Sequence, residues 1–494
     1  MKRLVKLLLS RTSFILLLLL AQIAFFFVTI DFLTSFPYVN TALYVITTII
    51  VIFLIYKEEN PAYKLSWIVP IMVFPLFGGL FYLFYQNTNV SRRVVRLLGN
   101  LDQERITYLE LPIPISTSKV ANYLSHLGFA SYGETDITFY DSGPTLFNAM
   151  KEAMQQATTS IYIEFFIIRK GQMWSEFLQI LTEKAKQGVD IKIIYDDFGS
   201  ATLPYRYPKK LKALGIDAYS FNPMSPHLNF QMNYRSHRKH IIIDNHIGFT
   251  GGINVGDEYI DLKRPFGHWQ DSGIKLVGDA AKMMAINFID QLRFTTQDQV
   301  ILPYPKIDQQ ALNLKTLTIP FVDAPIDKHT TNKNVYLQMI HEAKHTLYIT
   351  TPYLIIDYEL LEALKFAKSS GVDVKIIIPR KPDKRLVYMV TESYARELSQ
   401  AGIDIYKYSP GFIHSKIMIA DGHTAMIGSC NLDYRSLYLH FENSVYLRNH
   451  EEIAKIENHF HELIAASENL KNFKKRPLFY RIIQIILRGF SSVL

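Results

Sequence analysis

Residues 237–254 read HRKHIIIDNHIGFTGGIN, and residues 414–431 read HSKIMIADGHTAMIGSCN. Each stretch holds a histidine and a lysine two apart, an aspartate five residues past the lysine, and a Gly-rich turn closing on asparagine. His237 and His414, Lys239 and Lys416, Asp244 and Asp421, and Asn254 and Asn431 are all 177 residues apart. A match in register over the whole motif repeats chemistry as well as pattern, and it predicts a chain made of two like halves.

The flanks of the motifs carry the same message. SIYIEFFII (160–168) and IKIIYD (191–196) read as strands around a helix, FLQILTEKAKQG (177–188), that stops at Gly188. The order returns as TLYITTPY (346–353), LLEALKFAKSSG (360–371) and VKIIIP (374–379). LKALGIDAYSFNP (211–223) is likewise answered by LSQAGIDIYKYSP (398–410). Strand, helix and strand in that order predict an α/β fold with two βαβ-type halves, parallel sheets and a pseudo-twofold relation.

Composition sets outer limits. A chain of 494 residues exceeds what one core usually supports. With 49% hydrophobic and 20% charged residues it is a folded protein rather than a mainly disordered one. A formal charge of +8 suits an anionic partner, and the single cysteine, Cys430, forbids an intrachain disulfide or a multi-Cys metal site.

The first 90 residues predict a helical membrane region. Residues 12–30 run without a charge after Lys2, Arg3, Lys6 and Arg11, and 39–56 and 67–85 are further apolar runs. These imply a multi-pass protein of the cell membrane. A cleaved signal peptide is the rival, but no small-residue cleavage site follows. Sidedness stays open, because three spans put the remainder outside while Arg92, Arg93 and Arg96 favour the inside. The expected organisation is membrane helices in 1–90, a linker in 91–134, the first half in 135–300, a connector in 301–330, the second half in 331–475 and a basic amphipathic tail in 476–494.

On a strand, residues two apart share a face, so each motif offers an imidazole beside an ammonium at the mouth of a buried strand. If both pairs converge, the pocket holds two lysines, two imidazoles and the amides of Asn254 and Asn431, with Ser429 beside the second turn. That set suits a phosphodiester. Lysines and amides stabilise charge on non-bridging oxygens, one imidazole attacks phosphorus, and the other protonates the leaving alkoxide. Asp244 and Asp421 complete the motifs as candidate catalytic acids. A metal is the rival reading, but flanking lysines repel a divalent cation and no H-x3-H or HExxH spacing occurs here, so no metal and no cofactor are expected. A nucleophilic histidine needs a carboxylate to fix its tautomer. Glu442 is the candidate for His414 and Asp271 for His237, an ordinary exposed acid being the alternative in each case.

H-x-K-x4-D followed by G-G/S-x-N, duplicated, resembles the phospholipase D superfamily over nearly all of 135–470. Within it, NPAYKLSWIVPIMVFPLFGGLFYLF (60–84), NYRSHRKHIIIDNHIGFTGGINVGDEY (233–259), GSCNLDYRSLYLHFE (428–442) and the tail RPLFYRIIQIILRGFSSVL (476–494) are similar to bacterial cardiolipin synthases. A helix simply packed on the domain is the plainer reading of the tail. The resemblance implies two phospholipase-D-like halves and a metal-free transfer between two phosphatidylglycerols through a phosphatidyl-histidine, with His237 the expected nucleophile. It implies phosphatidylglycerol and anionic membrane lipid as partners, and the membrane segments weigh against nucleic acid. A hydrolytic phospholipase D or phosphodiesterase, another lipid alcohol as acceptor, and a non-enzymatic basic lipid-binding module are the alternatives. Three departures from the group stand out: Ile356 where Pro is common, His440 where Asn is common, and the ending SSVL.

Overall fold

A computed structural model describes nearly all residues from 36 onward. It leaves out 59, 74–81, 83–91, 110–117, 134, 205, 225–232, 308–314, 327–328, 471–475, 493–494 and most of 1–35. Two sheets dominate. The first runs, in spatial order, Asp136–Tyr140, Gly273–Val277, Ile247–Gly251, Lys239–Ile243, Ser160–Phe165, Asp190–Asp196 and Asp217–Phe221. The second runs Leu317–Asp323, His440–Arg448, Thr424–Gly428, Ile417–Ala420, Thr346–Thr350, Asp373–Pro379 and Asp404–Tyr408, with Ser467–Asn469 added at its edge.

Strand for strand, the two orders match, so the sequence repeat is a repeat of topology. The sheets are mixed rather than parallel. Ser160–Phe165, Asp190–Asp196 and Asp217–Phe221 pair in parallel through helical crossovers, whereas the motif strand Lys239–Ile243 and its neighbour Ile247–Gly251 form a hairpin. The turn between them is too short for a crossover, which requires antiparallel pairing.

The crossover helices follow from their apolar spacing. Gln172–Lys186 buries Met173, Trp174, Phe177, Ile180 and Leu181, and Gly188 at φ +86° lies just beyond its end. Tyr358–Ser369 starts where the Asp357 carboxylate accepts the Leu360 N–H at 2.9 Å, and Gly371 at φ +95° lies past its end.

Asp279–Thr295 differs from both, being buried almost all round. It packs on strands of both sheets, and Phe288 stacks on Tyr162 at 5.0 Å. Through it, Tyr162, Ile194 and Ile242 of the first half join Ile319, Phe321 and the second half in one continuous core.

The N-terminal region corrects an expectation. Among the described residues no helix is long and apolar enough to cross a membrane, which overturns the multi-pass cell-membrane placement. Of the 67–85 run, the described helix is Pro61–Val73, 13 residues or about 20 Å at an α-helical rise, and 74–81 and 83–85 lie outside the described residues. Pro37–Tyr56 turns back onto it, with Ile50 and Leu54 packed against Trp67, Ile71 and Tyr82. The expected span 12–30 lies almost wholly outside the described residues.

Candidate active site

The two halves meet along two short parallel ribbons. Arg235–Ser236 pairs with the start of His440–Arg448, and Gly411–Ile413 pairs with His268–Gln270. Each ribbon delivers a histidine from one half to the carboxylate strand of the other. The His237 N–H donates to the Phe441 carbonyl at 2.8 Å, and the His414 N–H to the Gln270 carbonyl at 2.7 Å.

The result is a crossed pair. His237 Nδ1 lies 2.9 and 3.0 Å from the two oxygens of Glu442, and His414 Nδ1 lies 2.7 Å from Asp271 Oδ2. Sequence proximity assigned Glu442 to His414 and Asp271 to His237, and the fold exchanges them. The reason is the seam, since each histidine precedes its own strand and is carried across to the other half. With a carboxylate on Nδ1, each ring keeps Nε2 for chemistry.

Both histidines are buried, at 7% and 6% exposure, as are Lys239, Lys416, Asn254, Asn431, Asp271 and Glu442. Lys239 Nζ donates to the His237 carbonyl and Lys416 Nζ to the His414 carbonyl, so each ammonium is tied to its own motif. Burial lowers the lysines, Lys239 to about 7 and Lys416 to about 8. It also pushes His237 well below its ordinary value and His414 to about 4. Burial alone would raise Glu442 and Asp271, but the adjoining imidazoles hold both below the usual carboxylate range. Lys416 acts on Lys239, and Lys239 on His414, so the two motifs share one field.

The turn residues are placed unequally. Ser429 donates its hydroxyl to Glu442 Oε2. Its counterpart is Gly252, where a Cβ would stand 2.0 Å from Asp271 Oδ1. Asn254 accepts the Ile167 N–H at 3.1 Å and donates to the Tyr259 hydroxyl at 3.0 Å. Asn431 donates to Asp433 at 3.2 Å, while its Oδ1 is buried with no hydrogen-bond partner.

Asp244 and Asp421 are not brought to this pocket. They sit at the far ends of the motif strands, roughly 20 Å along the chain from the histidines at strand rise. Asp244 accepts the N–H groups of Thr158, Thr159 and Ser160, and Asp421 those of Lys344, His345 and Thr346.

Other contributors carry no motif signal. Asn443, next to Glu442, accepts the Lys239 N–H at 2.9 Å and donates to Thr250 at 2.7 Å, and its adjacency to the acid is the one clue the sequence offers. Tyr259, Trp269 and Phe412 wall His414, while Phe166 and His440 stand beside His237.

Comparison with known proteins agrees with this geometry. A family model described as "Cardiolipin synthase, PLD-like domain" matches residues 150–266 and 336–464, and one described as "Phospholipase_D-nuclease N-terminal" matches 42–85. A cardiolipin synthase of Geobacillus sp. is 31% identical over 97% of this chain and 99% of its own length. An uncharacterized protein of Streptococcus mutans is 34% identical over 90% of this chain and 99% of its own. The phosphatidylserine synthase of Haemophilus influenzae, 14% identical, superposes with a TM-score of 0.59 over 74% of this chain and 95% of that one, which is a likeness of fold. With two duplicated sheets, crossed histidine–carboxylate pairs and full-length relatives of this kind, the chain belongs to the cardiolipin synthase family of phospholipase-D-like proteins.

Proposed function

We propose that this site makes cardiolipin from two phosphatidylglycerol molecules, releasing glycerol. The observation that carries the reading is the crossed pair, in which two buried imidazoles are each fixed on Nδ1 by a carboxylate from the opposite half, so that each keeps Nε2 for chemistry at phosphorus. His237 attacks phosphorus and forms the P–N bond, and His414 gives its proton to the departing glycerol oxygen as the P–O bond breaks. The acceptor hydroxyl then passes its proton to His414 and attacks phosphorus, and the P–N bond to His237 breaks. Lys239 and Lys416 stabilise the non-bridging oxygens, with Asn254, Asn431 and Ser429 as supports.

Transfer rather than hydrolysis requires a lipid alcohol held where water is scarce. Burial of the pair supports this, as do the exposed apolar side chains Leu478, Phe479 and Ile485 beside Arg481, which suit contact with the anionic lipid surface that supplies the acceptor. The halves responsible are 135–300 and 331–475.

The test is product analysis from phosphatidylglycerol vesicles by mass spectrometry. Cardiolipin and free glycerol are expected, with phosphatidic acid minor, and added glycerol should reverse the reaction. Phosphatidic acid as the main product at every acceptor concentration would make the chain a hydrolase.

A further inference from the structure

A third imidazole stands at the first motif. His440 is two residues before Glu442 and is paired in register with Arg235, which brings its ring 5.4 Å from that of His237. Its Nδ1 is 3.8 Å from Glu442 Oε1, beyond hydrogen-bond reach, and that nitrogen is buried without a hydrogen-bond partner. The side chain is 11% exposed. The same Oε1 lies 2.9 Å from His237 Nδ1. His237, His440 and Glu442 thus each offer one ligand atom, and the three atoms lie within 4.8 Å of one another. Two residues before Asp271, by contrast, stands Trp269, whose ring lies 5.2 Å from His414.

We propose that His237, His440 and Glu442 form an inhibitory site for a transition-metal ion of the Zn²⁺ class. Two imidazole nitrogens and a carboxylate oxygen are a common zinc donor set, with the fourth position left to water. Bond lengths of about 2.0–2.2 Å put tetrahedral donors roughly 3.3 Å apart, so the widest separation, up to 4.8 Å, must close by as much as about 1.5 Å. Rotation of the His440 ring supplies this, because its Nδ1 breaks no hydrogen bond in moving. Lys239 Nζ is directed to the His237 carbonyl and Ser429 occupies Oε2, so the oxygen that meets the cation is Oε1, whose partner is the His237 proton that the ion displaces.

The consequence rests on the reaction proposed above. A metal on Nδ1 takes the place of the proton that joins His237 to Glu442. The neutral ring then carries its proton on Nε2, the nitrogen that has to attack phosphorus, and turnover stops without any proton leaving the ring.

The test uses the full chain, stripped of metal by a chelator. Zinc uptake is read by equilibrium dialysis and, in parallel, by the visible bands of Co²⁺ in its place. One ion per chain at micromolar free zinc is expected, with an intense tetrahedral cobalt spectrum. H440N and H440Q should each weaken uptake at least about tenfold, or about 1.4 kcal/mol. Each should also weaken zinc inhibition by the same factor when rates are scaled to that variant's zinc-free rate. Zinc uptake unchanged in both variants, or absent from the unaltered chain, overturns the site. Since uptake is read without turnover, a protein that binds zinc through His440 yet makes no cardiolipin supports the site and refutes the reaction.

Discussion

Gly252 and Ser429 hold matching places in the two motifs and differ because of the carboxylates behind them. Asp271 approaches the first turn so closely that a Cβ at 252 would stand 2.0 Å from its Oδ1, whereas Glu442 leaves room for the Ser429 hydroxyl that binds it. Gly252→Ala should therefore push Asp271 off His414, lowering kcat at least about tenfold and costing about 1–3 kcal/mol of stability, read by steady-state rates and thermal melting. A variant that melts and turns over normally would refute this close approach. His237→Ala and His414→Ala should each abolish turnover, with the double variant little worse, since groups serving one step are non-additive. The lysines predict a pH limb. Lys239 and Lys416, lowered by burial to about 7 and about 8, lose charge as pH rises through that window. The kcat/KM of the free enzyme should fall across it, and a profile flat to pH 9 would count against charged lysines as phosphate ligands.

At the scale of the element, Asp244 and Asp421 are clasps. Both occupy left-handed turns at φ +53°, and each carboxylate gathers three backbone N–H groups where the neighbouring strand begins. Those donors hold Asp244 at about 2, below its ordinary 3.8 despite partial burial. A folded-state value lower than the unfolded one gives stability that is complete above the unfolded value and is lost as pH falls toward about 2. Screening at so exposed a site reduces the contribution to about 1 kcal/mol. Asp244→Asn should remove that acid-limb dependence and lower the melting temperature, while kcat per folded molecule stays within about twofold. A large kcat loss with unchanged stability would restore the catalytic role expected of this motif position. The C-terminal helix Leu478–Gly489 is also an anchored element, with Gln484 donating to the Met389 carbonyl at 2.6 Å and Arg488 paired with Glu397.

For the whole molecule, the crossed pairs and the shared core make the halves one unit. Neither half alone holds a histidine together with its orienting carboxylate, because His237 relies on Glu442 and His414 on Asp271. Residues 135–300 and 331–475 expressed separately should each be inactive, and mixing should restore activity only if they reassemble the seam. Helix Asp279–Thr295 spans both sheets, so the two-sheet body should unfold in one calorimetric transition. Two resolved transitions from that body would mean that the halves fold independently.

The repeat of 177 residues and the βαβ order were legible in the chain, as was the pairing of a histidine with a lysine in each motif, because strand and helix periods and motif spacing are local properties. The matching strand order of the two sheets is the topological counterpart of that repeat, although the sheets are mixed where the βαβ order predicted parallel ones. Pairing was not legible. Glu442 is 28 residues from His414 and 205 from His237, yet it binds His237, because seam ribbons join segments that chain distance ranks last. Nor could spacing show that Asp244 and Asp421 face away from the pocket, since a conspicuous acid reads alike as catalyst or clasp until the strand's length separates its two ends. The multi-pass placement was overread for a related reason: hydropathy records how apolar a segment is, and only the folded helices show what it packs against, as Ile50 and Leu54 do on Trp67 and Ile71. His440, an isolated histidine in the sequence, became a neighbour of His237 solely through the parallel register that sets it opposite Arg235.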